Sequence, residues 1–232
     1  IGGQKTIDQL RALHNKGFQL VINTGRLDHD IDYICEKYKL PIDGRISQNG
    51  AVIYHDNVLR ASLLDKEEAL EFYKTIRNYS IRVEMNTVSN RYWHDDRDPE
   101  FPKEFFDSSH IISDFTPIIL NQPVVLFLLI GDEEEITMAR NLVEDKFSKL
   151  EAVRTSPTSL EVLAKGVSKG KALISLYDDI HLYAIGDSEN DYSMFDVAKK
   201  SYLISDDVYE DAEQIALDAF MRVNKLCSLI FN

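Results

Sequence analysis

The sequence predicts an α/β fold in which a parallel-sheet core covered by helices is split by an inserted α/β domain. Three observations predict it. Short apolar runs alternate with amphipathic helical patterns at both ends of the chain, as a helix-covered parallel sheet requires. The middle of the chain pairs strand-like runs around turn residues, which is an antiparallel signature. Several of the apolar runs at the two ends stop in loops rich in Gly, Asn, Asp and Thr.

Thr6 and Gln9 read as a capping box ahead of Ile7, Leu10 and Leu13, and Gly17 as the stop of that first helix. Phe18 to Ile22 reads as a buried strand ending in Asn23-Thr24-Gly25-Arg26. A helix then runs through Tyr38 until Pro41 breaks it. Cys35 is expected on its buried face beside Ile31 and Ile34. Arg45 to Ser47 is a second strand, followed by Asn49-Gly50. Ala51–Tyr54 and Val58–Ser62 flank a hairpin turn at Asp56-Asn57. In the middle, helices are expected at Lys66–Asn78 and Glu134–Phe147. Strands are expected at Ile81–Asn86, Arg91–His94, Val124–Ile130, Leu150–Thr155 and Ser159–Leu163, and Pro99–Pro117 reads as an irregular loop. The first style then returns: helix Lys169–Tyr177, strand Leu182–Ile185, helix Asn190–Ala198, strand Tyr202–Ile204, and a helix from about Tyr209. The expected partition is a core of residues 1–63 and 164–232 with an insert of residues 64–163.

Composition narrows the functional classes. The 232 residues carry 39 acidic and 26 basic side chains, a net charge of −13. Such a surface repels nucleic acid and anionic lipid. No run reaches the ~18 apolar residues of a membrane helix, and no signal peptide is visible, so a cytoplasmic protein is expected. Two cysteines, Cys35 and Cys227, form neither a zinc spacing nor a disulfide framework.

The chemistry-bearing residues follow strands. Asp187 comes directly after Leu182–Ile185, and Asp191 lies four residues further on. At strand C-termini a carboxylate faces a ligand crevice, and two carboxylates with the Asn190 amide suit a hard cation such as Mg²⁺. Helix capping by Asp and Asn would write the same residues. Thr24, Gly25 and Arg26 share that address: a hydroxyl and a backbone open to close approach suit an anion, and Arg26 either reaches it or pairs with an acid, though a plain helix cap by Thr24 is the competing reading. Asn49 follows a strand and either lines the same crevice or serves a turn. Lys169 opens a helix against the helix dipole, which calls for an anion nearby. Lys165 and Lys171 read as solvated. The stretch is not a nucleoside-triphosphate loop, because Ala172 follows Lys171.

Taken in order, Thr24-Gly25-Arg26, Asn49-Gly50-Ala51, an α/β insert, Gly166-Val167-Ser168-Lys169-Gly170 and Gly186-Asp187 with Asn190-Asp191 resemble the haloacid dehalogenase superfamily, in its Cof-like, type IIB capped branch. The resemblance spans nearly the whole chain and implies a Rossmann-like core, an α/β cap and a Mg²⁺-dependent phosphatase working through an aspartyl-phosphate. It implies that Thr24 binds the phosphoryl group and that Lys169 offsets its charge. Asp187 would bind Mg²⁺, with Asp191 and Asn190 orienting the metal, its waters or the phosphate. The substrate implied is a small phosphorylated metabolite, a sugar phosphate or similar, and the protein a monomer or homodimer. One departure is plain. The D-x-D-G-T segment that carries the nucleophile in that family is absent; Asp28-x-Asp30, Asp30-x-Asp32 and Asp96-x-Asp98 have the spacing but not the setting. The expectation is a strand ending in Asp-x-Asp just upstream of Ile1. A second departure follows the Gly-Asp motif, where Ala198 to Asp207 replaces a Gly-containing turn. A non-catalytic binding or regulatory relative and a phosphomutase of the same superfamily remain as alternatives.

Overall fold

The computed structural model describes residues 3–95, 108–177 and 181–204. Helix α1 (Gly3–Asn15) opens it. The helix starts before Thr6, so Thr6 and Gln9 lie inside it and the expected capping box is not its beginning. Gly17, at φ +89°, turns the chain as expected. Strand β1 (Val21–Asn23) is shorter and later than the run from Phe18, whose ring is 45% exposed.

Helix α2 (Asp28–Tyr38) buries Ile31 and Ile34. Its stop is Lys39, whose left-handed backbone donates to the Cys35 and Glu36 carbonyls, two residues before Pro41. Cys35 is half-buried rather than buried, and desolvation pushes its thiol from 9.0 up to about 11. At pH 8 its thiolate fraction is therefore about a hundredfold below that of an ordinary cysteine, and alkylation slows in proportion. Site-resolved mass spectrometry after iodoacetamide pulses checks this; labelling of Cys35 at the rate of a free thiol would contradict it.

Strand β2 (Gly44–Ser47) pairs parallel with β1, and β3 (Val52–His55) and β4 (Val58–Ala61) complete a sheet of order β1-β2-β3-β4. Asp56 and Asn57, at φ 51° and 61°, form the expected hairpin turn. Between β2 and β3, residues 48–50 make a tight turn with three successive positive φ values: 49°, 54° and 100°.

A second sheet contains only residues 82–164. Its strands are β5 (Arg82–Thr87), β6 (Arg91–Trp93), β7 (Ser109–Ile111), β8 (Val124–Ile130), β9 (Leu150–Ser156) and β10 (Ser159–Ala164), in the order β7-β6-β5-β8-β10-β9. Helices α3 (Lys66–Ile76), α4 (Thr116–Asn121) and α5 (Glu133–Lys146) cover one face. Asp65 caps α3, and Asp132 and Glu135 form a capping box on α5. Strand alternation sends Val83, Met85, Phe127, Leu129, Leu160 and Val162 into this core with Phe72, Tyr73 and Ile136. Phe72 is fully buried, 5.3 Å from the Phe127 ring and 5.7 Å from Phe147. His94 stacks on Phe115 at 4.0 Å and contacts the Ile112 carbonyl, a packing role. Two elements correct the expected loop of 99–117: β7 pairs parallel with β6, and Pro117 sits in the first turn of α4, where its missing N–H costs nothing. Phe101, Phe105, Phe106 and Asp96-x-Asp98 lie outside the described residues.

The chain then forms α6 (Lys169–Ile174), β11 (Tyr183–Gly186), α7 (Tyr192–Phe195) and β12 (Lys200–Leu203), with β11 and β12 parallel. Both helices are shorter than their apolar patterns suggested. Cys227, Asp206, Asp207 and the helix expected from Tyr209 lie outside the described residues. One apolar cluster joins Ile46 and Val21 of the first sheet to Ala184, Leu173 and Met194. Among the described residues β1 pairs only with β2, and β11 only with β12. Strand β11 carries exposed apolar groups: Tyr183 is 45% and Ile185 60% exposed. Phe18 meets Tyr183 edge-on at 6.2 Å. No helix among the described residues is long and apolar enough to cross a membrane.

Candidate active site

The loops after β1, β2 and β11 and the start of α6 meet at one place. The Thr24 N–H extends the parallel ladder to the Ile46 carbonyl at 2.9 Å, and the Thr24 carbonyl accepts from the Asn49 N–H at 3.1 Å. Gly25 lies against Asn49: a β-carbon there would come within 3.2 Å of the Asn49 amide nitrogen. Gly50 permits a still closer approach, since a β-carbon on it would sit 2.5 Å from the Ser168 carbonyl oxygen. These two glycines let the loops after β1 and β2 pack onto each other and onto the start of α6.

Lys169 is buried, 6% exposed. Its Nζ donates to Asp191 Oδ1 at 2.6 Å and to Asn190 Oδ1 at 3.3 Å. The anion its unfavourable helix position called for is thus, in the first place, Asp191. The other Asp191 oxygen accepts from the Asp187 N–H at 3.0 Å and the Ser188 N–H at 3.3 Å. Both oxygens of this buried carboxylate therefore hold protein groups, and its visible work is to close the 187–191 loop on the lysine. A β-carbon on Gly186 would overlap the same carboxylate. Asp187 differs. Its side chain is exposed, with a 3.4 Å contact from the Ser188 hydroxyl to Oδ1.

Asn190 donates to Asn49 Oδ1 at 3.3 Å, so the loops after β2 and β11 are tied directly. Thr24, Gly25, Asn49, Lys169, Asp187, Asn190 and Asp191 are thus drawn into one network or its immediate neighbours. Arg26 is turned aside: its guanidinium pairs with the buried Asp30 at 2.6 Å. The other Asp-x-Asp acids are also engaged, Asp28 and Asp32 both with Arg45.

Two residues were given no role in the sequence. Asn23 donates to the Lys169 carbonyl at 3.0 Å, while its buried Oδ1 has no partner among the described residues. Glu161, on β10, accepts a short hydrogen bond from the Asn49 amide. Burial raises its carboxyl pKa, against the opposing pull of Asn49, Lys169 and Arg91. Nothing in the Ser159–Ala164 alternation marks Glu161 as more than the outward residue of a strand.

Among the described residues no three His, Cys, Asp or Glu side chains cluster as a metal site. Asp187 offers one exposed carboxylate, which suits an ion that takes one or two protein carboxylates and completes its shell with water and substrate phosphate.

The haloacid dehalogenase-like hydrolase model matches residues 2–213. A Haemophilus influenzae protein that carries only a provisional phosphatase name is 31% identical over 215 residues, 88% of this chain and 79% of its own. The mannosyl-3-phosphoglycerate phosphatase of Pyrococcus furiosus is 25% identical over 226 residues, 91% of this chain and 88% of its own. Among solved structures, a haloacid dehalogenase-like hydrolase from B. subtilis superposes with a TM-score of 0.78 at 22% identity, covering 92% of this chain and 86% of its own. A subclass IIB sugar phosphatase superposes at 0.74 with 20% identity, covering 97% and 92%. The fold, the order of the motifs and the match across most of its length agree: this chain belongs to the haloacid dehalogenase-like hydrolase family.

Proposed function

We propose that the protein is a Mg²⁺-dependent phosphatase of small phosphate monoesters, sugar phosphates among them, acting through an aspartyl-phosphate. One observation carries the reading: Thr24, Asn49, Lys169 and Asp187, far apart in sequence, stand on loops that the Asn49–Asn190–Lys169 hydrogen bonds draw together at strand ends. In this reading the Thr24 hydroxyl and the loop N–H groups bind phosphoryl oxygens, with Gly25 allowing their close approach. Lys169 supplies the fixed positive charge that phosphoryl transfer demands. Asp187 holds the ion, which when bound neutralises charge on the phosphoryl oxygens. Asn190 and Asn49 orient phosphate, and Asp191 keeps Lys169 and the 187–191 loop in place. Arg26, paired with Asp30, shapes the rim of the phosphate loop.

The nucleophile and the general acid–base belong, on this proposal, to an Asp-x-Asp on a strand N-terminal to Ile1 that enters between β1 and β11. Supporting this, among the described residues, are the edges of β1 and β11 that pair with no further strand, the exposed Tyr183 and Ile185, and the buried Asn23 Oδ1, which accepts no hydrogen bond. Residues 64–163 serve as a cap over a core of residues 1–63 and 164–232, excluding water and selecting the leaving group. A cytoplasmic monomer or homodimer acting on a phosphorylated metabolite completes the assignment.

The test is hydrolysis of p-nitrophenyl phosphate by the natural full-length protein, with Mg²⁺ and with EDTA. Turnover is expected only with the ion, and Asp187→Asn should lower it at least about a hundredfold while leaving the fold intact by circular dichroism. No turnover under either condition would favour a non-catalytic binding protein instead.

A further inference from the structure

We propose that Glu161, a residue of the insert, is a positioning residue for the phosphate-binding loops and acts through Asn49. The inference rests on the phosphatase reading above. Its starting point is the left-handed run at 48–50. Gln48 and Asn49 are buried, non-glycine residues at positive φ. Such backbone persists only where its surroundings over-determine it.

Two of the groups that hold this run come from the insert. The Gln48 side chain donates to the Thr87 carbonyl on β5 at 3.1 Å, and the Asn49 amide donates to Glu161 on β10. Two more come from the phosphate loop: the Gln48 N–H donates to the Arg26 carbonyl at 2.9 Å, and the Asn49 N–H to the Thr24 carbonyl. The run is therefore gripped from both sides, by insert and by core.

Glu161 decides which way round the Asn49 side chain sits. A primary amide presents NH₂ on one side and C=O on the other, and the two differ little in shape. The Glu161 carboxyl oxygen accepts from the Asn49 amide, which holds the NH₂ toward β10 and leaves the Asn49 oxygen facing Asn190. Asn190 is then held with its own oxygen toward the Lys169 ammonium at 3.3 Å. The chain Glu161–Asn49–Asn190–Lys169 runs unbroken from the insert to the cation. Remove the acceptor and the amide is free to turn, which leaves Asn190 facing a second NH₂ group.

Glu161 is 9% exposed. Lys169 and Arg91 stand close enough to favour its charged form and offset part of its burial. Seating of the insert is in this way a condition for the alignment of the phosphate site.

A double-mutant cycle on the natural full-length protein tests the relay. Glu161→Ala, Asn49→Ala and the double variant are assayed on p-nitrophenyl phosphate and glucose 6-phosphate, two monoesters with unlike leaving groups. Glu161→Ala is expected to lower kcat/KM about thirtyfold on both alike, and the double variant to fall no more than about threefold below the worse single variant. Glu161→Gln, which keeps an acceptor, should recover most of the loss. Orthovanadate affinity by calorimetry on the same proteins carries the cycle without turnover. Additive losses, no loss at all, or a loss confined to one leaving group, as direct contact with the substrate would give, each overturn the proposal. A wild-type protein that neither turns over nor binds vanadate sinks the phosphatase reading and this inference with it. An active one with additive losses sinks only the inference.

Discussion

On the proposed function, replacing Lys169 by Met is expected to lower kcat/KM for phosphate monoesters about 10²–10³-fold, the usual loss when one preorganised charge stabiliser is removed. It should also weaken the fold. Asp191 is 4% exposed and would lose the cation 2.6 Å away. Breaking one side of a buried pair costs about 3–5 kcal/mol. The Asp187 and Ser188 N–H groups still face the Asp191 carboxylate, which puts the expected loss at the lower end of that range. For a chain of this size that is a fall of roughly 6–12 °C in Tm. Lys169→Met with Asp191→Asn should regain most of the stability, because the orphaned charge is gone and the loop N–H groups keep an acceptor. It should regain none of the activity. Calorimetric melting beside p-nitrophenyl phosphate kinetics separates the two effects. A Lys169→Met protein that melts and turns over like wild type would show that the ammonium serves neither purpose.

Gly170→Ala is the second large effect. Gly170 packs on α7: its N–H donates to the Ser193 hydroxyl at 3.1 Å, and a β-carbon on it would overlap the Ser193 carbonyl. The obstacle is backbone and cannot swing away, so α6 must move off α7. Overpacking of this kind costs roughly 1–3 kcal/mol or more. Lys169 precedes Gly170 and would move with it; on the proposed function, a displacement of about 1 Å there can cost about 10²-fold in rate. Gly17→Ala is the matched control. Gly17 has left-handed φ but open space around the added carbon, so only backbone strain of about 1–2 kcal/mol is expected there. Urea melts and kcat/KM of both variants make the comparison; equal activity in the two would remove the packing argument.

Lys169 and Gly170 lie in one of the motifs that the sequence picked out. Apolar runs ending in small or polar residues located most strand ends to within a residue or two, because a buried strand and the loop that follows it differ sharply in composition. Lys169 stood out because a cation at a helix start needs an anion. That logic was sound, but it could not say whether the anion was a ligand or the protein's own Asp191. Glu161 was invisible for the opposite reason. It occupies an ordinary outward position of an alternating strand, and its partner Asn49 lies 112 residues away. Pro117 was read as the end of an irregular loop when it sits in the first turn of α4, since a proline's meaning depends on which turn it occupies. Thr6 misled similarly, because α1 already runs from Gly3.

The split arrangement of the sheets has a kinetic corollary. Strands β1 and β11, which share one apolar cluster on the α6 side, are divided in the chain by the whole of the β5–β10 sheet. Bringing them together closes a very long loop, and closure entropy must be spent before those contacts repay it. The β5–β10 sheet has its own large core, and its strands β9 and β10 are hairpin neighbours with mostly local pairing. The middle of the polypeptide is therefore expected to condense early and to act as the clamp that shortens the path between its two ends.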